Sequence, residues 1–272
     1  MAEPQVLAGA EPFLVENGNI GVLVSHGFTG NPHSMRYLAE GLASAGFTVA
    51  LPRLKGHGTT PADMAASTAS DWVADLERAS AWLQQRCDTL FMTGLSMGGT
   101  LTLLMAGQHP DLFKGIIPIN AMLFSNNPDL ASLAFMSPAP AEVSGIGSDI
   151  KAEGVTENAY PVTPVPTIKE LFTLTKVADE MLPRITCLPL SLPRVTITSC
   201  HRPTPNIYFR SYPTRTNSWS GSKIPIMWQH WTTTKTSFFR RASTSSKLIR
   251  NRRPDKNVFL NIAFVSMKVW MK

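Results

Sequence analysis

The first 187 residues predict a doubly wound α/β fold with a mostly parallel sheet. Two observations predict it: short apolar runs alternate with stretches of helical period, and the runs close on polar or glycine-containing loops. Strands separated by helices need crossover connections, and crossovers make neighbouring strands parallel.

The elements follow in order. "NIGVLVSH" (19–26) reads as a strand buried on both faces. "PHSMRYLAEGLASAG" (32–46) has helical spacing, and Gly46 suits the helix C-terminus. "FTVALPR" (47–53) is a strand. "SDWVADLERASAWLQQR" (70–86) is an amphipathic helix, with Ser70 read as its N-cap and Arg86 in its last turn. "TLFMTG" (89–94) is a strand, "MGGTLTLLMAGQ" (97–108) a helix and "KGIIPIN" (114–120) a strand. Residues 123–165 are rich in Pro, Ser and Ala and weakly periodic, as an insertion or lid would be. "TIKELFTLTKVADEML" (167–182) is a further helix.

Ser96 falls where a strand gives way to a helix, flanked by Gly94 and Gly98. A turn that tight brings the chain too close for side chains at the flanking positions. The helix N-terminus offers free N–H groups and a partial positive charge to a developing oxyanion. A G-x-S-x-G pattern alone is a weak signal, and a serine capping an ordinary helix would also satisfy it. Here it has the strand–turn–helix context that a nucleophile requires. An earlier strand also runs into "HGFTG" (26–30), a loop suited to offering the Phe28 N–H as one oxyanion donor, with the Met97 N–H as the other. Ser96 is therefore the candidate nucleophile, and Phe28 and Met97 the candidate oxyanion and substrate-binding positions. His26 reads as a brace for its loop. His57 sits in a glycine-rich turn, and His33 and His109 adjoin prolines at helix ends, where solvation is expected.

Composition sets outer bounds. A chain of 272 residues with 43% hydrophobic content can bury a sizeable core. No run approaches the ~20 apolar residues that span a bilayer. The N-terminus lacks the basic region of a signal peptide. Cys87, Cys187 and Cys200 have no metal-ligand spacing, so a reducing, cytoplasmic location is expected, with neither metal nor cofactor.

The charge is split. Residues 1–187 hold 10 Lys+Arg and 18 Asp+Glu, whereas residues 188–272 hold 15 Lys+Arg and one acid, Asp255. Of the 18 glycines only Gly221 lies after position 187.

Several stretches carry a family resemblance. "HGFTGNPHSMRYLAEGLASAGFTVALPRLKGHGT", "DWVADLERASAWLQQRC" and "TGLSMGGTLTLLMA" resemble the bacterial monoacylglycerol lipases and carboxylesterases of the α/β-hydrolase fold. The resemblance covers roughly residues 10–187. It implies hydrolysis of a monoacylglycerol or similar ester through an acyl-enzyme on Ser96, with Phe28 and Met97 at the oxyanion positions. It also implies a small lid at about 123–180.

In this fold the triad acid and then the histidine follow the nucleophile along the chain. The resemblance implies segments like "DHVVPP" and "NSYHVATLD", and neither is present after residue 187. The genetic code offers an explanation. Join the last base of each codon to the first two of the next. "MWQHWT" (227–232) must then read Val-Ala-x-Leu-Asp, and the preceding codon, spanning Ile226 and Met227, can be histidine. The same displacement lets "RVTITSCHR" (194–202) read Arg-Asp-Asp-His-Val-Val-Pro-Pro, with the family's Asp across Thr196 and Ile197. Two separate segments need one displacement, so the coding frame slips near residue 188. On this reading 188–272 is a basic, poorly ordered region, the last strands and helix of the fold are missing, and activity is impaired. The alternative is a non-catalytic binding protein whose basic tail meets nucleic acid or a membrane surface, with Trp219, Trp228 and Trp231 as stacking residues. The tail contains no recognisable binding module, and no nucleic-acid partner is expected.

Overall fold

Val22, Leu23 and Val24 are fully buried in the middle of one strand, and both faces of that strand need cover. The architecture supplies it. In the computed structural model, which describes residues 4–123, 128–145 and 158–186, five strands form one sheet. They are β1 (Phe13–Val15), β2 (Ile20–Ser25), β3 (Thr48–Leu51), β4 (Thr89–Leu95) and β5 (Phe113–Ile119), in the order β1-β3-β2-β4-β5. β2 runs parallel to β3 and β4, and β4 parallel to β5. β1 is antiparallel to β3; it and the short helix α2 (Pro61–Ala65) were not evident from periodicity. The regions expected for 188–272, including Thr196/Ile197 and Ile226/Met227, lie outside the described residues.

Helix α1 (Pro32–Ser44) buries Met35, Leu38 and Leu42 against Val22, Val24, Val49, Leu51, Phe91 and Ile117. Each such side chain contributes about 2 kcal/mol when fully withdrawn from water. Asn31 caps this helix, its Oδ1 accepting from the His33 N–H at 3.0 Å. Gly46 follows the helix end at φ +92°, as expected of a residue that must turn left-handed.

Helix α3 (Ala69–Gln84) corrects two expectations. Its N-cap is Thr68, not Ser70: Thr68 Oγ1 accepts from the Asp71 N–H, and the Asp71 carboxylate accepts from the Thr68 N–H. This reciprocal pair satisfies two orphan donors, which Ser70, one residue inside the helix, cannot do. The hydrogen bond from the Thr68 hydroxyl, then that from its N–H, holds the Asp71 carboxyl below its usual range. Arg86 lies just past the helix end, where its Nη1 donates to the Trp82 carbonyl at 3.0 Å.

Helix α4 (Met97–Gln108) is buried from Met97 through Gly107, apolar all round because chain packs on every side of it. Gly107 admits helix α6 (Val165–Met181): a Cβ there would lie 2.7 Å from the Met181 Cβ. Between β5 and α6 the described insertion comprises helix α5 (Pro128–Phe135) and an antiparallel pair, β6 (Glu142–Ser144) and β7 (Val162–Pro164). The described residues all fall in one compact unit. Among the described residues no helix is long and apolar enough to cross a membrane.

Candidate active site

Ser96 is the single residue between β4 and α4, and its backbone is strained. Its φ of 54° and ψ of −117° put a non-glycine residue on the left-handed side, at a cost on the order of 1–3 kcal/mol. The surroundings hold it there. The Ser96 N–H donates to the Ile119 carbonyl at 2.9 Å, tying the turn to the end of β5. A Cβ at Gly94 would lie 2.3 Å from the Gly98 carbonyl oxygen. A Cβ at Gly98 would lie 2.4 Å from the Ser25 oxygen and 2.6 Å from the His26 oxygen, at the end of β2. Both flanking glycines are thus required by backbone approach. Gly98→Ala is expected to lower unfolding free energy by about 3 kcal/mol, because the obstructing atoms are main chain and cannot swing aside. Urea denaturation reads this, and a change below about 0.5 kcal/mol would contradict the packing account.

The loop after β2 comes to the same turn. Gly27 lies so close that a Cβ on it would be 3.4 Å from the Leu95 oxygen and 3.7 Å from the Ser96 Cβ. Phe28, the next residue, has a buried side chain, and so does Met97, while Ser96 stays half-buried. The sequence-predicted serine and the loop of its predicted oxyanion donor therefore meet in space. Among the described residues, neither the Phe28 nor the Met97 N–H has a hydrogen-bond acceptor. The Met97 N–H belongs to the first turn of α4, whose donors have no partner inside the helix. Thr29 follows at φ +60°, its Oγ1 donating to the Phe28 carbonyl at 2.7 Å.

His26 braces this loop with both ring nitrogens. Its Nδ1–H donates to the Gly27 carbonyl at 3.0 Å, and its Nε2 accepts from the Leu54 N–H at 3.2 Å. That use of both nitrogens removes it as a base for Ser96. His57 is fully buried beside it, ring centroids 5.1 Å apart, and meets Trp72 at 5.5 Å and Phe28 at 6.5 Å. Burial first, and then the neighbouring His57, push His26 down to about 3; burial pushes His57 down to about 4. Both rings are neutral at physiological pH. His33 is exposed, and half-buried His109 lies 3.6 Å from Glu77. Among the described residues no histidine is hydrogen-bonded to Ser96.

This aromatic backing of the loop was not evident in the sequence. "HG" marked the loop, but nothing local marked His57 or Trp72 as the residues packed behind Phe28.

A mostly parallel sheet flanked by helices, with a serine on a strained turn at the head of a buried helix, defines an α/β-hydrolase. Residues 19–158 match the family described as serine aminopeptidase, S33, and the chain belongs to it. It is 52% identical over 183 residues to a thermostable monoacylglycerol lipase of Bacillus sp. (strain H-257), spanning 67% of this chain and 72% of that one. A carboxylesterase of Bacillus subtilis (strain 168) is 28% identical over 170 residues, 62% of this chain and 68% of the other. A solved structure from work on LipS and LipT, two metagenome-derived lipolytic enzymes, superposes with a TM-score of 0.66 at 67% identity. It covers 68% of this chain and 75% of the other. The reading as a binding protein with a basic tail is not favoured by these likenesses.

Proposed function

We propose that the chain is built to hydrolyse carboxylic esters, with monoacylglycerols or similar lipids as substrates, through an acyl-enzyme on Ser96. The observation that carries this is the approach of the Gly27–Phe28 loop to Ser96 at the head of α4. The Ser96 Oγ attacks the ester carbonyl, and the carbonyl oxygen becomes an oxyanion held by the N–H groups of Phe28 and Met97. Each such donor is typically worth ~3 kcal/mol of transition-state stabilisation. Collapse expels the alcohol, and water then releases the fatty acid. The lipolytic relatives support an ester over the peptide that the family's description suggests.

A base must take the Ser96 proton, and an acid must orient that base. Displaced-frame residues across Thr196/Ile197 and Ile226/Met227 would supply them, which makes the chain as it stands impaired. The match to the Bacillus sp. lipase takes in 183 of the 272 residues, which supports a family-like portion shorter than the whole chain.

The test is hydrolysis of p-nitrophenyl butyrate against leucine p-nitroanilide, on this chain and on a frame-restored chain. Ser96→Ala should abolish ester turnover in either, and the anilide should be spared. Ester cleavage that survives Ser96→Ala, or faster cleavage of the anilide, overturns the reading.

A further inference from the structure

Within the insertion, just ahead of β7, Asn158 and Tyr160 touch both supports of the loop that carries Phe28. The Tyr160 side chain is buried. Its hydroxyl donates to the Gly56 carbonyl at 2.8 Å and accepts from the Thr59 N–H at 2.7 Å. Those two bonds close the short turn 56–59 across His57. The turn has no slack of its own: Gly56 sits at φ +76°, with space for a Cβ only 2.6 Å from the Met64 Cα. His57 in turn packs its ring on His26 and Phe28.

The same residue also reaches the loop directly. The Tyr160 N–H donates to the Thr29 carbonyl at 3.4 Å, and Thr29 is the left-handed residue just after Phe28. Two residues earlier the Asn158 carbonyl accepts from the Asn31 side chain, while Asn158 Nδ2 donates to the Ala8 carbonyl at 3.1 Å. The loop 26–31 is thereby held on one side through its own carbonyls and side chains. On the other it is held through the histidine that its neighbouring turn presents.

We infer that Tyr160 is a positioning residue for the oxyanion site, a strut that fixes the Phe28 N–H by joining the insertion to both the 26–31 loop and the 56–59 turn. This rests on the ester-hydrolase reading for its catalytic consequence. A strut of this kind acts on the transition state more than on substrate binding, because the oxyanion forms only as the reaction proceeds.

Tyr160→Phe keeps the ring and deletes the hydroxyl's bonds to the Gly56 carbonyl, the Thr59 N–H and the Thr59 hydroxyl. In the full chain, hydrogen exchange of backbone amides should quicken at 56–60 and also at 26–31, by roughly tenfold or more, with distant α1 and α3 unchanged. In the ester assay kcat should fall about ten- to a hundredfold with KM within about twofold, since small misplacement of a catalytic group has effects of that size. Faster exchange confined to 56–60, or an unchanged kcat, overturns the inference. The exchange arm is independent of turnover. A chain that turns over no ester, even with its frame restored, counts against the hydrolase reading and leaves exchange to decide the strut. If Tyr160→Phe does not fold, the unmodified chain answers the question. The Thr59 amide and the amides of 28–31 should then exchange through one opening with the same urea dependence, and separate openings refute the strut.

Discussion

Restoring the displaced frame from residue 188 onward is expected to raise ester turnover by about 10⁶, the size of the loss when a triad loses its serine or histidine. The physical reason lies in proton transfer. Ser96 sits on its strained turn with the Gly27–Phe28 loop beside it, but at neutral pH the proposed nucleophile needs a partner to accept its proton as Oγ attacks. Among the described residues none is available: both nitrogens of His26 are committed, and His57 is turned into the aromatic cluster. The restored chain should lose its gain on Ser96→Ala. It should lose nearly as much when the histidine written across Ile226/Met227 is replaced, since triad members act as a unit. Initial rates on p-nitrophenyl butyrate measure this. A chain as given that is already as fast as the restored one would sink the frame account. A restored chain that stays inert would do the same.

The second large effect is on stability in mild acid. His26 and His57 ionise in the unfolded chain near 6.5, but only at about 3 and about 4 when folded. Between those limits the unfolded chain binds more protons than the folded one. Stability therefore rises with pH across the window, is fully present above about 6.5, and is lost as pH falls toward the folded values. The cause is mainly burial. Arg53 adds positive charge beside both rings, while Asp63 partly offsets this at His57. The backbone carbonyls of Gly27 and Lys55 favour the protonated forms, but less than burial opposes them. With two protons at stake the slope approaches about 2.7 kcal/mol per pH unit in mid-window, and the total is on the order of 8 kcal/mol. Urea denaturation between pH 5 and 6 measures the slope before most carboxylates contribute. His57→Phe should roughly halve it; a flat profile would mean that neither ring is held neutral by the fold.

Much of the fold was legible because its signals are local. The apolar runs gave the four parallel strands within a residue or two, and "MGGTLTLLMAGQ" gave the span of α4 residue for residue. The turn at Ser96 could be read because its two glycines sit within two residues of the serine. The cap of α3 was misread although its signal was present: Thr68 and Asp71 stand three apart, but Ser70 lay closer to the apolar pattern. Three-residue strands such as β1 are too short to show a period.

The sequence by itself determined the alternation of strand and helix, the strained serine turn and the abrupt change of composition near residue 188. These depend on neighbours a few positions apart, whose sterics and polarity act whatever the rest of the chain does. Only the tertiary structure decided that His57 and Trp72 back the Phe28 loop and that the Tyr160 hydroxyl closes a turn 101 residues away. Such contacts follow from how packed elements meet in space, and no spacing along the chain encodes them.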